Sequence, residues 1–370
     1  MKIEAAVVHS FGDAFALEAL DLEDPRKDEV RVRVIAAGVC HTDVAFQNGV
    51  MPFEHPFVLG HEGAGIVEAV GADVVSVKAG DRVAISFRSC GDCTNCAAGL
   101  PSYCFTMPQL NYVGSRPDGS VSLSRDGMPV HSNFFGQSSF ATHCLTYERN
   151  LVKLPDDMPF ELACPLGCGV QTGVGGILKS MDCRAGASLL VTGGGTVGLS
   201  AIMAGRIRGC TPIILIEPMA NRRELALELG ATHVIDPLAV ESLADAVREI
   251  LPHGVDYAFD TSGRREVLES TMNCLAPRGL FGIVGIPPAG TPVPGDLNQM
   301  ITYGHRVMGI IEGDADPATF IPELIRLYQA GQLPIDRLIR TFPLRDINLA
   351  IDAQHRGACI KPVLMTGQPG

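Results

Sequence analysis

SLLVTGGGTVG, residues 188–198, carries an apolar strand directly into a G-x-G-x-x-G turn made by Gly193, Gly195 and Gly198. The helical pattern LSAIMAGRIR follows at once, then a second apolar strand, IILIE, ending on Glu217, 19 residues after Gly198. A glycine turn alone is common. A strand before it, a helix opening on it and an acidic residue closing the next strand together make the pattern of a dinucleotide site. The glycines let a pyrophosphate approach the helix N-terminus, and Glu217 can accept hydrogen bonds from the adenosine ribose. Downstream the alternation continues through NRRELALELG, HVID, ADAVREIL, VDYAFDTSG and LFGIVGI. This is the rhythm of a doubly wound parallel sheet, in which each helix returns the chain to start the next strand.

Upstream the texture differs. From Met1 to about Gly169, short β-rich runs such as VRVRVIAAGV and AGIVEAVGADVVSVKAGDRVAI are broken by Gly, Pro and Asp, as in a mostly β domain. Beyond about Gly309 the tail carries one helical pattern, FIPELIRLYQAGQ, and a strand-like IKPVLM placed to return to the first domain. At 370 residues the chain exceeds what one core usually serves. The expected division is residues 1–169 with 309–370, a discontinuous domain, and residues 170–308, the nucleotide-binding domain.

A net charge of −12 with no Lys/Arg run argues against a nucleic-acid or anionic-membrane partner. The opening MKIEAAVVHSFGDAF lacks a basic segment followed by an apolar one, and no stretch approaches the roughly eighteen apolar residues of a membrane span. The expectation is a soluble, cytoplasmic protein. In that compartment its 12 cysteines point to metal binding or catalysis rather than to disulfides.

Their spacing separates two sets. Cys90, Cys93, Cys96 and Cys104 fall as C-x2-C-x2-C-x7-C in a loop that also holds Gly91, Gly99 and Pro101. Four thiolates on one short segment can close a tetrahedron around a structural zinc. Cys40 in GVCHTD, His61 in GHEGAG and Cys168 in PLGCG are dispersed, and three such ligands would leave a fourth position for substrate, as a catalytic zinc requires. Spacing alone does not fix this set, because Cys164 could replace Cys168.

Together these pieces resemble the zinc-containing medium-chain alcohol dehydrogenases along nearly the whole chain. The family signature G-H-E-x2-G-x5-G-x2-V is met by Gly60, His61, Glu62, Gly65, Gly71 and Val74, and NFFGQSSFAT, PLGCGVQTG and GGGTVGLSAIMA look closest to its bacterial benzyl-alcohol and geraniol branch. The resemblance implies a GroES-like catalytic domain beside a Rossmann domain, an α/β architecture, with NAD and two zinc ions as cofactors. It places the reactive zinc on Cys40, His61 and Cys168, with Glu62 beside it and Asp43 orienting His61. Thr42 matches the hydroxyl that hydrogen-bonds the substrate alcohol and begins proton transfer. Thr172 and Val197 match nicotinamide-packing positions, and His41 and Lys361 match positions near the pyrophosphate. Ala45 stands where many members carry a relay histidine.

Glu217 should repel the 2'-phosphate of NADP, with Arg222 and Arg223 near enough in sequence to soften the repulsion. The expected reaction is hydride transfer between NAD and a primary alcohol/aldehyde pair, aromatic or allylic, in a homodimer or homotetramer. Phe87, Phe134 and Phe135 are the expected apolar lining. Two alternatives are a glutathione-dependent formaldehyde dehydrogenase, which would need a basic site for its anionic adduct, and a non-catalytic NAD(H)-binding sensor, which would have no use for an open zinc position.

Overall fold

In the computed structural model, which describes residues 1–367, the chain divides into two compact units. The first comprises Met1–Cys168, Asp316–Leu327 and the chain from Ile335 onward; the second comprises Gly169–Ala315 and Tyr328–Pro334. The tail leaves the second unit later than the expected boundary at Gly309. Strand Arg306–Gly309 is still part of that unit's sheet, and the turn after it packs so closely on helix Gly169–Gly175 that a Cβ on Gly313 would lie 2.5 Å from the Gln171 carbonyl oxygen.

The second unit is built on six parallel strands. Their spatial order is His233–Ile235, Ile213–Ile216, Leu189–Thr192, Val255–Asp260, Leu275–Ile283 and Arg306–Gly309. The runs LLVT and IILI are buried at every residue, as apolar strands covered on both faces should be. Leu190, Ile214, Val255, Phe281 and the helix residues Leu268 and Met272 share one core. Strand order reverses between Leu189–Thr192 and Val255–Asp260, so the carboxyl ends of these two neighbours flank the crevice where such sheets bind ligands.

In the first unit, strand Glu29–Gly38 is central, pairing with Gly63–Val70, His143–Tyr147 and Lys361–Met365. Its valines are buried while Arg31 and Arg33 stay half-exposed, the two-residue period of a one-sided strand; from Val34 onward every residue is buried. Val363 lies opposite Gly38, so the terminal strand closes on this unit. A second sheet orders Phe57–Val58, Lys2–Val8, Ala16–Leu22, Leu123–Arg125 and Met128–Val130 over a core that includes Ile3, Val7, Leu20 and Val130. Besides the helix Pro317–Gln329, the tail forms Ile347–His355, which the sequence pattern did not reveal. No helix among the described residues is long and apolar enough to cross a membrane.

Candidate functional site

Three separate sequence segments of the first unit converge on one small cluster. The ligand atoms of Cys40, His61, Glu62 and Cys168 all lie within 4.8 Å of one another. Cys40 precedes helix His41–Gln47, and Asp43 in that helix's first turn holds the cluster together. Asp43 Oδ2 accepts the Cys40 backbone N–H at 2.9 Å, while its Oδ1 accepts from Gly60 N at 3.1 Å and from His61 Nδ1 at 2.8 Å. With Nδ1 donating, the lone pair of the imidazole sits on Nε2. That nitrogen is buried and has no hydrogen-bond partner.

A buried acceptor without a donor is costly unless something else fills the role, and two thiols beside it make a zinc ion the natural occupant. The electrostatics fit a cation. The Cys40 thiol is held well below its ordinary range by a hydrogen bond from Cys168, against the effect of burial. Burial alone would push the His61 pKa down, but Asp43 and Cys40 outweigh it and hold it well above the ordinary value, so Nε2 favours a positive occupant, a proton that a metal ion bound there would displace. Cys168 follows the short helix Cys164–Gly167, whose last carbonyl accepts the Ser86 hydroxyl at 2.6 Å. Cys164, the alternative from spacing, stays outside the cluster: its thiol reaches the Glu161 carbonyl at 3.6 Å and is pushed well up by burial.

Glu62 and Lys361 form a fully buried ion pair at 2.6 Å, and Lys361 also donates to the Val39 carbonyl at 3.1 Å. Gly38 makes room for it, since a Cβ there would lie 2.0 Å from Glu62 Oε2. Burial raises the Glu62 pKa; on Lys361 it acts downward, but Glu62 outweighs it and holds the ammonium above its ordinary value. In this structure its charge neutralises the carboxylate next to the cluster, because an unpaired carboxylate there would be strongly disfavoured. Thr42 Oγ1 is 3.7 Å from Cys40 Sγ, and His41 is exposed at the start of the same helix.

Aromatic rings cover the imidazole. Phe135 stacks on His61 with centroids 4.5 Å apart, and Phe134 meets it edge-on at 5.6 Å; Tyr112 packs on Phe135 and Phe46 on Phe134. Phe87 is buried.

Cys90, Cys93, Cys96 and Cys104 form a second cluster, again with all sulfurs within 4.8 Å. Cys93 N–H donates to Cys90 Sγ at 3.4 Å and Cys90 N–H to Cys104 Sγ at 3.3 Å. The Cys93 thiol is pulled down to about 6 by the Cys96 and Phe105 backbone N–H groups, whereas Asp92 pushes Cys90 up to about 12. Backbone N–H groups aimed at sulfur favour thiolates, and a cation among the four sulfurs would draw off the protons that Cys90 and Cys96 otherwise keep. Asn111 closes the loop's base, accepting from Arg88 N at 2.8 Å and donating to Arg88 O at 2.9 Å.

In the second unit Gly193 takes a φ of +94°, open to glycine, and a Cβ on Gly198 would lie 1.8 Å from the Gly193 carbonyl oxygen. Gly195 precedes helix Thr196–Arg208, with nothing within 4 Å of its missing Cβ. Val197 is partly exposed in that helix's first turn, and Thr172 is buried in helix Gly169–Gly175. Glu217 accepts the Gly194 N–H at 2.6 Å and the Met219 N–H at 2.9 Å, with Arg222 Nη1 4.0 Å away. Arg223 is committed to the Glu217 and Pro218 carbonyls and to Asp236 at 3.1 Å. Sequence reasoning missed Asp260, a buried acceptor for Thr192 Oγ1, Ser262 Oγ and Gly263 N that braces the strand ends beside the glycine turn. The acidic end of VDYAFD before TSG was its only signal.

Residues 26–156 match the alcohol dehydrogenase GroES-like domain and residues 196–330 the zinc-binding dehydrogenase domain. The chain belongs to the zinc-binding alcohol dehydrogenase family. This alcohol dehydrogenase is 46% identical to geraniol dehydrogenase of Castellaniella defragrans over 99% of its own length and 98% of that protein. Its fold superposes on benzyl alcohol dehydrogenase from Acinetobacter calcoaceticus with a TM-score of 0.95 at 39% identity, covering 99% of this chain and 100% of the other. S-(hydroxymethyl)glutathione dehydrogenase of Paracoccus denitrificans is more distant, 32% identical over 99% of this chain and 100% of that one. The α/β architecture is thus a GroES-like domain with a Rossmann-type parallel sheet, and the dehydrogenase is an oxidoreductase that uses zinc and NAD.

Proposed function

We propose that this alcohol dehydrogenase interconverts aromatic or allylic primary alcohols and their aldehydes, with Cys40, His61 and Cys168 holding the catalytic zinc and Cys90, Cys93, Cys96 and Cys104 a structural one. The observation that carries the reading is the unpartnered, buried Nε2 of His61 set between two thiols and under the Phe135 ring. Bound there, zinc supplies a Lewis acid that makes an alcohol oxygen more acidic, and NAD supplies the hydride acceptor.

The chain's own groups do the rest. Asp43 fixes the His61 tautomer, and Lys361 draws the charge of Glu62 away from the ligands. Thr42 Oγ1 takes the alcohol proton as it gives up its own hydroxyl proton. Ala45 cannot pass it on, so water beside the helix takes it to solvent. The buried rings of Phe134 and Phe135 favour an apolar, planar substrate over ethanol or a sugar alcohol. This is also the substrate type in the names of the geraniol and benzyl alcohol dehydrogenases.

Gly193, Gly195 and Gly198 seat the pyrophosphate, Thr172 and Val197 pack the nicotinamide, and Glu217 takes the ribose hydroxyls. A 2'-phosphate near Glu217 would meet about 4 kcal/mol of repulsion per charge pair at 4 Å and an effective dielectric of 20, which favours NAD. Arg222, 4.0 Å from Glu217, is placed to moderate it.

The functional unit we propose is a homo-oligomer in a reducing, cytoplasmic setting. Arg306–Gly309 is an edge strand among the described residues, and Val293, Leu297 and Ile301 in the segment leading to it are each at least 70% exposed, a surface that a second copy would cover.

A panel of alcohols with NAD, read by absorbance of the reduced cofactor, tests the substrate class. Benzyl alcohol and geraniol should exceed ethanol in kcat/KM by several powers of ten. Faster turnover of ethanol, or turnover only with a glutathione adduct, contradicts it.

A further inference from the structure

Gln137 is almost fully buried, and its side-chain amide is spent on the backbone that carries a zinc ligand. Its Oε1 accepts the Gly63 N–H at 3.0 Å, and its Nε2 donates to the His61 carbonyl at 2.8 Å. These two groups flank Glu62, so the amide grips the chain as a neighbouring strand would.

The sheet explains why a surrogate is needed there. Strand Gly63–Val70 pairs with Arg82–Ile85, Ala64 opposite Ala84, and continuing that register would bring Ser86 opposite Glu62. The ladder stops first. Ser86 turns its N–H to the Asn150 carbonyl, and Gln137 Nε2 fills the gap with a second, longer contact of 3.3 Å to the Ser86 carbonyl. On the opposite edge, Gly38 N–H donates to the Glu62 carbonyl at 2.9 Å. Residues 61–63 are therefore held by main chain on one side and by one side chain on the other.

Gln137 arrives on a strained segment. Asn133, Phe135 and Ser138 have φ of +71°, +51° and +57°, a region that non-glycine residues enter only when the surroundings demand it. The demand is visible: Asn133 Nδ2 donates to Ser115 O, Ser138 Oγ to Val58 O, and Asn150 Nδ2 to Phe135 O. The conformation puts two residues on His61, Phe135 against the ring face and Gln137 on the carbonyl. The same patch touches the other ligand segment, since the Ser86 hydroxyl holds the Gly167 carbonyl beside Cys168.

We propose that Gln137 is a positioning residue for the catalytic zinc, fixing the His61–Gly63 backbone so that the imidazole meets the two thiolates in one geometry. The inference rests on Cys40, His61 and Cys168 being the zinc ligands. Losing the amide leaves a buried N–H and a buried carbonyl unpaired next to the ligand, and the segment must move to satisfy them.

The test replaces Gln137 with Met, which matches its length without hydrogen bonds, and with Asn, whose amide is one methylene too short to span both groups. Zinc release from each holoprotein is followed against a chelator with a colorimetric indicator, and the reactive site is separately loaded with cobalt for visible spectroscopy. We expect one of the two zinc ions to leave about 10- to 100-fold faster in Gln137→Met, the other to leave at the wild-type rate, and the cobalt bands to shift. Gln137→Asn should show the same selective loosening, and it carries the test if the Met variant does not fold. Unchanged release and spectrum, or equal loosening of both ions, overturns the proposal. A wild-type protein whose reactive site takes up neither zinc nor cobalt overturns the ligand assignment itself, and the positioning role with it.

Discussion

The two cysteine clusters of the first unit reach the same compactness by opposite means. Cys90, Cys93, Cys96 and Cys104 lie on one short loop, and their supports are local: backbone N–H groups aimed at sulfur and the Arg88–Asn111 clasp at the base. Cys40, His61 and Cys168 come from three segments far apart in sequence, and groups from elsewhere hold two of them, Asp43 and Gln137 on His61 and Ser86 beside Cys168. A local loop has little to shape it except its metal, so metal and fold are coupled there. The dispersed cluster is preorganised by the surrounding sheet. On the proposed assignment its metal is left to serve chemistry, since the sheet rather than the ion would hold the fold there.

The sharpest way to break this contrast is to remove one ligand from each cluster. Cys168→Ala should lower kcat/KM by on the order of 10³-fold or more, the loss of several kcal/mol of metal assistance, with the melting temperature close to wild type. Cys93→Ala should do the reverse, lowering thermal stability or soluble yield while the protein that remains folded retains activity. Steady-state kinetics and calorimetry on the two variants read both effects, and an exchange of the two phenotypes would mean that the clusters have been assigned the wrong way round.

A smaller effect is expected in the second unit. Glu217→Ala removes the carboxylate and should raise the NADP/NAD ratio of kcat/KM by roughly 10- to 100-fold, since one charge pair contributes a few kcal/mol at most. Equal ratios in variant and wild type would show that Arg222 already cancels the carboxylate's charge.

The smallest concerns the proton. Ala45→His should increase alcohol oxidation at low pH more than at high pH, where hydroxide or buffer already takes the proton; a positioned base typically contributes about 10²- to 10⁴-fold, and water recovers part of it. The variant is compared with wild type under conditions in which a solvent isotope effect shows proton release to limit turnover. An unmoved pH profile there would contradict the water-mediated route.

How far the sequence could be read follows the same division between local and dispersed. SLLVTGGGTVG and the four-cysteine loop declare themselves because the glycines, the strand and the ligands are neighbours in the chain, so spacing is geometry. Cys40, His61 and Cys168 became a set only through the family signature around Gly60, His61 and Glu62. The choice of Cys168 over Cys164 depends on which thiol the short helix Cys164–Gly167 points at the cluster, which spacing does not encode. The partner of Lys361 was not legible, because position says nothing about direction; its ammonium turns to Glu62, 299 residues away. Gln137 stood inside NFFGQSSFAT with no role of its own. Its role arises where a strand ladder stops short, a feature of tertiary pairing rather than of residue type.

The central claim, two zinc ions with separable roles, is most directly tested by counting metal. Elemental analysis of freshly purified, active protein should give two zinc ions per chain, and one in each of Cys168→Ala and Cys93→Ala, with the remaining ion accompanied by an inactive stable protein in the first and an active fragile one in the second. One zinc or none in the active wild type, or two retained in Cys168→Ala, would contradict the account.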